Sequence, residues 1–111
     1  MLNNISVHQG DSYPIPVRLV QDGVALTADM LDDLEICVGT VIKRTMRTGG
    51  IWHISDGDCF CFIPTQAETL SMQPGRYSVG VRVKYKDTPP SVNIETIGTM
   101  TIIASSFKEE I

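Results

Sequence analysis

An uninterrupted alternation of apolar and polar side chains runs from residue 75 to residue 85. The apolar positions are Tyr77, Val79, Val81, Val83 and Tyr85, and the positions between them are Ser78, Gly80, Arg82 and Lys84. Successive side chains of a β-strand point to opposite faces, so this run predicts a strand with one buried face and one solvent-exposed face. Strands of that kind are typical of antiparallel sheets that pack only one face on the core.

Shorter apolar or alternating runs, separated by turn residues, occupy most of the remaining chain. They span residues 5–8, 12–20, 34–38, 41–46, 51–54, 58–63 and 91–103. Asp22-Gly23 and Asp56-Gly57 lie between such runs, and Asp-Gly favours the tight turn of a β-hairpin. We therefore predict an all-β fold, specifically an immunoglobulin-like antiparallel β-sandwich of about seven or eight short strands.

Two local signals refine this prediction. Pro14 and Pro16 lack a backbone N–H, so the strand that contains them must lie at a sheet edge or at a bulge. Thr65 and Glu68 have the spacing of a helix capping box, which predicts one short helical turn near residues 65–70.

The final apolar run is long and contains one glycine, Gly98. Val92, Ile94, Met100 and Ile102 are in phase with one another, and we expect them to face the core. Gly98 predicts a bulge within this strand. The residues that follow are polar, so we predict a single domain over residues 1–104 and a polar C-terminal tail over 105–111.

Composition and charge argue against several classes of protein. The chain has 111 residues, 42% of them hydrophobic and 20% charged, which suits a folded domain with a sizeable core. The net charge of −4 argues against nucleic acid as a partner, because that surface needs clustered Lys and Arg. No run approaches the roughly 20 apolar residues of a membrane helix, and no signal peptide is visible. We therefore expect no membrane partner and a protein that stays in the cytoplasm where it is made.

The three cysteines and two histidines could indicate a metal or catalytic site. Cys59 and Cys61 share a face of an apparent strand and are poorly placed to bridge each other, and Cys37 could lie across from one of them. A metal site of these three thiols with His53 does not match common zinc spacings. A catalytic pair would need His53 beside Cys59 or Cys61 across the hairpin turn. We expect small buried thiols instead, and predict no metal, no cofactor and no enzymatic activity.

The order of several motifs resembles one group of proteins. In chain order the motifs are Gln9-Gly10-Asp11-Ser12-Tyr13, Asp22-Gly23, Asp33–Gly39, Thr65-Gln66-Ala67-Glu68-Thr69, Pro74-Gly75-Arg76-Tyr77 and Ile97–Ile102. In this order they resemble the small β-sandwich modules of phage and prophage tail proteins, and are similar to the N-terminal domain of phage baseplate upper proteins. The likeness covers most of the chain, from Ile5 to Ile103.

The resemblance implies a structural protein that assembles with itself or with other virion proteins and that resides in the virion tail after assembly. It implies no catalytic residues. The candidate interaction surface comprises Tyr13, Pro16, Arg18, Lys43, Arg44, Arg47, Trp52 and Phe107. The alternative is a carbohydrate- or small-ligand-binding module that uses Trp52 and the loop around Asp56.

Overall fold

The computed structural model describes residues 3–87 and 89–111, which form ten β-strands, one α-helix and one 3-10 turn. The strands are β1 (Asn3–His8), β2 (Ile15–Val17), β3 (Val20–Gln21), β4 (Val24–Ala25), β5 (Leu31–Val38), β6 (Ile42–Thr45), β7 (Trp52–Ile54), β8 (Cys59–Phe62), β9 (Gly75–Tyr85) and β10 (Val92–Ile103). The helix α1 spans Gln66–Ser71, and the 3-10 turn spans Ala28–Met30. The prediction of an all-β chain is confirmed. Residues 1, 2 and 88, which the predicted domain includes, lie outside the described ranges.

The strands form two sheets and a separate hairpin. The larger sheet has five strands in the order β1-β10-β9-β5-β6, the smaller has three in the order β2-β8-β7, and β3 pairs with β4. The inward side chains of both sheets pack together in one hydrophobic core. The alternating run that opens the sequence is β9, at the centre of the larger sheet, where Val79, Val81 and Val83 are buried as predicted.

One strand pairing differs from the predicted antiparallel arrangement. β1 runs parallel to β10, with Ile5 opposite Met100 and Val7 opposite Ile102. Parallel neighbours cannot be joined by a tight turn and need a long connection. Here that connection is almost the whole domain, because β1 and β10 lie near opposite ends of the described chain. The result is a larger sheet of mixed direction.

The local turn and helix signals lie where the sequence predicts them. β2, which contains Pro16, is an edge strand of the smaller sheet. Asp22 and Gly23 have φ values of 52° and 78°, as the two-residue turn of a tight hairpin requires. Thr65 accepts a hydrogen bond from the Glu68 N–H at 3.1 Å, and Glu68 accepts one from the Thr65 N–H at 2.8 Å. Within the described ranges, α1 and the 3-10 turn are too short to cross a membrane.

The bulge in β10 overturns part of the predicted inward face. Val92 and Ile94, expected in the core, are 57% and 72% exposed. The register between β9 and β10 shifts between Thr96 and Gly98, which leaves Ile97 as the extra residue. The bulge thus lies directly before the glycine that predicted it. Because side chains alternate along a strand, one extra residue turns every side chain before it to the opposite face.

Candidate functional site

The outward face of the three-stranded sheet is apolar, and we name it the Trp52 face. Its strand residues are Pro16 in β2, Cys59 and Cys61 in β8, and Trp52 and Ile54 in β7. Trp52 and Ile54 are 38% and 39% exposed, and none of the residues on this face carries an acidic or basic group. Phe60 and Phe62 alternate with the cysteines in β8 and fill the core from the opposite side.

A single cross-strand row forms the centre of the Trp52 face. Cys61 has Pro16 as its partner on one side and Trp52 as its partner on the other. Directly opposed side chains have Cβ atoms about 5 Å apart, so these two neighbours shield the thiol, which is only 2% exposed. Burial, followed by the nearby Cys59 thiol, raises the pKa of Cys61. The centre of the face therefore stays uncharged near neutral pH.

The two edges of the three-stranded sheet differ in their capacity to pair. Pro16 removes an N–H from the β2 edge. β7 forms the other edge and contains no proline. In residues 3–87 and 89–111, β8 is the only strand that pairs with β7. An open edge of this kind is a template for pairing with another strand.

The structure brings two of the predicted interaction residues together, since Pro16 and Trp52 flank the same thiol on the Trp52 face. Tyr13 lies just before β2 and is 43% exposed, and its hydroxyl donates to the Ser6 carbonyl at 3.4 Å. Arg18 lies just after β2, at the rim of a cavity beside the β3–β4 hairpin. These two residues therefore mark the two ends of the edge strand.

The predicted basic run does not form one surface. Lys43 is exposed on the outward side of the five-stranded sheet. Arg44 reaches α1 instead, and its two Nη atoms lie 2.5 Å and 3.0 Å from the two carboxylate oxygens of Glu68. Arg47 is 75% exposed, with its Nε 3.9 Å from the Asp33 carboxylate. Arg44 thus points away from Lys43 and Arg47, which both border the outward surface around Glu35 and Arg82. Two of the three basic side chains face carboxylates of the same chain.

The outward face of the five-stranded sheet is charged, and we name it the Arg82 face. Arg82 Nη2 lies 2.6 Å from Glu35 Oε2, and Lys84 follows two residues along the same strand. The hydrogen bond to Glu35 and the charge of that carboxylate raise the pKa of Arg82. Ile94, turned outward by the bulge, lies opposite Arg82. Val92 lies opposite Lys84 on the same side, so this face combines charged groups with two exposed apolar side chains.

Phe107 lies on the C-terminal tail and is 79% exposed. Two glutamine side chains hold the tail against the domain. The Ser105 N–H donates to Gln9 Oε1 at 3.4 Å, and the Ile111 N–H donates to Gln66 Oε1 at 3.2 Å. Phe107 itself is thus presented to solvent from a tethered segment.

The alternative Cys–His and metal sites are not assembled. The His53 ring centroid lies 4.9 Å from that of Phe60, with which His53 pairs across the β7–β8 hairpin. Because side chains alternate, His53 points inward while Cys59 and Cys61 point outward. Cys37 lies in the other sheet, and all three thiols are free. The described residues contain no group of three or more His, Cys, Asp or Glu side chains that could hold a metal ion.

Comparisons with known proteins provide no relative for this chain. No protein-family model matches it, and no curated protein or solved structure does so either. The Trp52 face is therefore the feature from which a function can be argued.

Sequence reasoning identified Trp52 and Pro16 but missed Ile54 and the two thiols as parts of the same surface. The available signal was Cys59-Phe60-Cys61-Phe62, a strand without a polar side chain on either face. Strands of that composition are typical of positions buried on both faces.

Proposed function

We propose that this chain is a non-enzymatic structural protein whose Trp52 face is covered by a second copy of the same chain. We further propose that it belongs to the tail or baseplate of a phage or prophage, where other virion proteins are additional partners. The order of sequence motifs supports this placement. The lack of charge on the Trp52 face supports the self-contact.

The observation that carries the proposal is that β8 is apolar on both sides. Phe60 and Phe62 are fully buried in the core, whereas Cys59 and Cys61 form the opposite side, where their cross-strand neighbours are Pro16, Trp52 and Ile54. A strand that needs shielding on one side only alternates with polar residues, as β9 does. The composition of β8 therefore fits a strand whose second side is also covered.

The charge of the chain favours a second copy as the partner that covers the Trp52 face. The chain has a net charge of −4, so most symmetric contacts between copies bring like charges together. The Trp52 face avoids this repulsion because its strand residues are uncharged. The adjacent β7 edge also allows two copies to pair antiparallel across a two-fold axis, which joins their three-stranded sheets into one continuous sheet.

The finer fold assignment, an immunoglobulin-like β-sandwich, is part of the same proposal. Its support is the single core shared by the five-stranded and three-stranded sheets, together with the Asp-Gly hairpins. In this arrangement the Trp52 face and the Arg82 face are the two outer surfaces of the sandwich.

Sedimentation velocity over a range of protein concentrations tests the self-contact. We expect the wild type to form a dimer or larger ring, and Trp52→Arg to raise the dissociation constant by at least about 100-fold, as loss of an aromatic anchor does. Ile94→Arg is the matched control on the Arg82 face, with an expected change within about threefold. A wild type that is monomeric at every concentration contradicts the proposal, as does an equal effect of the two variants.

The exposed indole of Trp52 supports a second candidate, a carbohydrate- or small-ligand-binding module. A flat aromatic side chain on a sheet surface is a suitable stacking platform for a sugar ring. A glycan array probed with wild type and with Trp52→Ala separates the two functions. Binding that is lost in Trp52→Ala, from a wild type that sediments as a monomer, favours the ligand-binding module.

A further inference from the structure

A cavity of about 310 Å³ lies between the β3–β4 hairpin and the inward side of β9 and β10. Its floor is aliphatic and is formed by Leu19, Leu26, Val81, Val83 and Ile97. Its polar lining comprises Arg18, Gln21, Asp22, Tyr85, Asn93 and Glu95. The cavity thus combines a floor of largely buried aliphatic side chains with a predominantly polar rim.

The bulge in β10 determines which of its side chains line this cavity. Before the bulge, Asn93 and Glu95 lie opposite Val83 and Val81 and so share the inward side of the sheet. Without the extra residue, Ile94 would point inward and fill the same space. The bulge therefore exchanges an apolar side chain for polar ones next to the core, and it leaves Ile94 exposed to solvent.

This exchange is unfavourable for folding alone. Turning Ile94 outward forfeits the burial of a large apolar side chain, while Asn93 and Glu95 remain exposed at the cavity. Bulges commonly re-aim side chains next to functional sites, and a local violation of the packing pattern is most frequent where function requires it. The geometry of β10 is therefore that of a strand adapted to place Asn93 and Glu95 in the cavity.

The rim of the cavity is organised by hydrogen bonds. The Tyr85 hydroxyl donates to Gln21 Oε1, which links β9 to the β3–β4 hairpin. Asn93 Nδ2 donates to Glu95 Oε1 at 3.2 Å and orients that carboxylate. These contacts hold polar groups from two elements around one opening.

Negative charge predominates around the opening. Asp22 and Glu95 line the cavity, and Arg18 is the one cationic side chain among its lining residues. Burial raises the pKa of Tyr85, and the carboxylates of Glu95, Asp87 and Asp22 raise it further. The phenol is thus surrounded by carboxylates that disfavour a further negative charge and favour a cation.

We propose that this cavity binds a small primary amine, with its ammonium group on Glu95 and Asp22 and its aliphatic body on the floor of valines and leucines. The face of the Tyr85 ring offers an additional contact for the cation. Ligand pockets span roughly 300–1,000 Å³, so a cavity of this size suits only a compact molecule. The proposal does not depend on the self-association of the chain.

Three probes with the same five-carbon body test the proposal: n-pentylamine, n-pentanol and pentanoate. Each is titrated into the ¹⁵N-labelled wild-type protein, and amide chemical shifts are followed. We expect pentylamine to shift the amides of Tyr85 and Glu95 saturably, and both other probes to bind at least about tenfold more weakly, as loss of a charged hydrogen bond implies.

Glu95→Gln keeps the shape of the site and is expected to weaken pentylamine binding about tenfold. Glu109→Gln, in the exposed tail, is the control and is expected to leave binding unchanged. Equal or tighter binding of pentanoate overturns the proposal, and so does the absence of saturable shifts at the cavity in the wild type. The wild-type titrations decide the matter even where a variant fails to fold.

Discussion

The two outward faces of the molecule differ in what surrounds their central strands. On the Arg82 face, the outward residues of β9 are polar or glycine, and Arg82 is paired with Glu35. On the Trp52 face, the outward residues of β8 are two thiols between a proline and a tryptophan. The first face presents charged side chains to water, together with the exposed side chains of Val92 and Ile94. The strand residues of the second face are all uncharged, as in a protein interior. We therefore assign the protein contact to the Trp52 face.

The contrast also shows how a strand sequence reports its surroundings. β9 alternates between apolar and polar residues because only one of its sides is shielded. β8 does not alternate because both of its sides avoid water: one side lies in the core, and the other is covered by Pro16, Trp52 and, we propose, a second copy. A strand pattern thus carries information about contacts beyond the chain itself.

The largest predicted effect is a difference in stability between variants on the two sides of the three-stranded sheet. Phe60 is fully buried, so Phe60→Ala is expected to lower the free energy of unfolding by about 4 kcal/mol. Trp52→Ala, on the outward side of the same hairpin, is expected to cost about 1 kcal/mol in the monomer. Urea denaturation at low protein concentration measures both, and equal losses would place Trp52 in the core instead.

The next prediction compares an ion pair enclosed by the fold with one on the Arg82 face. Arg44 and Glu68 have side chains that are 20% and 21% exposed, whereas Arg82 is 51% exposed and its partner Glu35 is 16% exposed. Glu68→Gln is expected to cost about 2 kcal/mol, because it leaves the Arg44 guanidinium without its carboxylate. Glu35→Gln, the matched change at the second pair, is expected to cost less, because the Arg82 guanidinium stays in contact with water. The same denaturation experiment measures both losses of unfolding free energy. A larger loss in Glu35→Gln than in Glu68→Gln would contradict this prediction.

The smallest predicted effect is a dependence of stability on acid pH. Burial opposes ionisation of Glu68, but hydrogen bonds from Arg44 and Thr65 outweigh it and hold the pKa of Glu68 below its usual value. The folded state then releases this proton more readily, so the stabilisation is complete above the unfolded pKa of about 4.3 and is lost as pH falls through the folded pKa. The stability difference between wild type and Glu68→Gln should therefore shrink as the pH is lowered below about 4. If the stability difference between wild type and Glu68→Gln did not change with pH, ionisation of Glu68 would not be the source of that difference.

Much of the fold was predictable because it depends on local signals. The alternation of β9, the Asp22-Gly23 turn and the Thr65 capping box are each decided within a few residues. The parallel pairing of β1 with β10 was not predictable, since it joins segments from opposite ends of the chain. The bulge was anticipated at Gly98, but its effect on the inward face was not, because one extra residue reverses a pattern that otherwise reads as continuous.

The candidate site was predictable only in part. Trp52 and Pro16 were identified as surface residues, but their positions on either side of Cys61 depend on strand pairing that a single sequence does not reveal. Arg44 and Arg47 meet carboxylates from distant parts of the chain, which the basic run alone does not reveal. Spatial pairing of this kind is decided by the tertiary fold.

Site-resolved alkylation of the thiols tests most directly whether a second copy covers the Trp52 face. Cys59 is part of this face and Cys37 lies on the opposite outward face, and both are partly exposed, so the chain contains its own control. We expect alkylation of Cys59 to slow severalfold as protein concentration rises, while the rate at Cys37 stays constant. A Cys59 rate that does not depend on concentration, measured where the protein is concentrated enough to associate, would contradict the account.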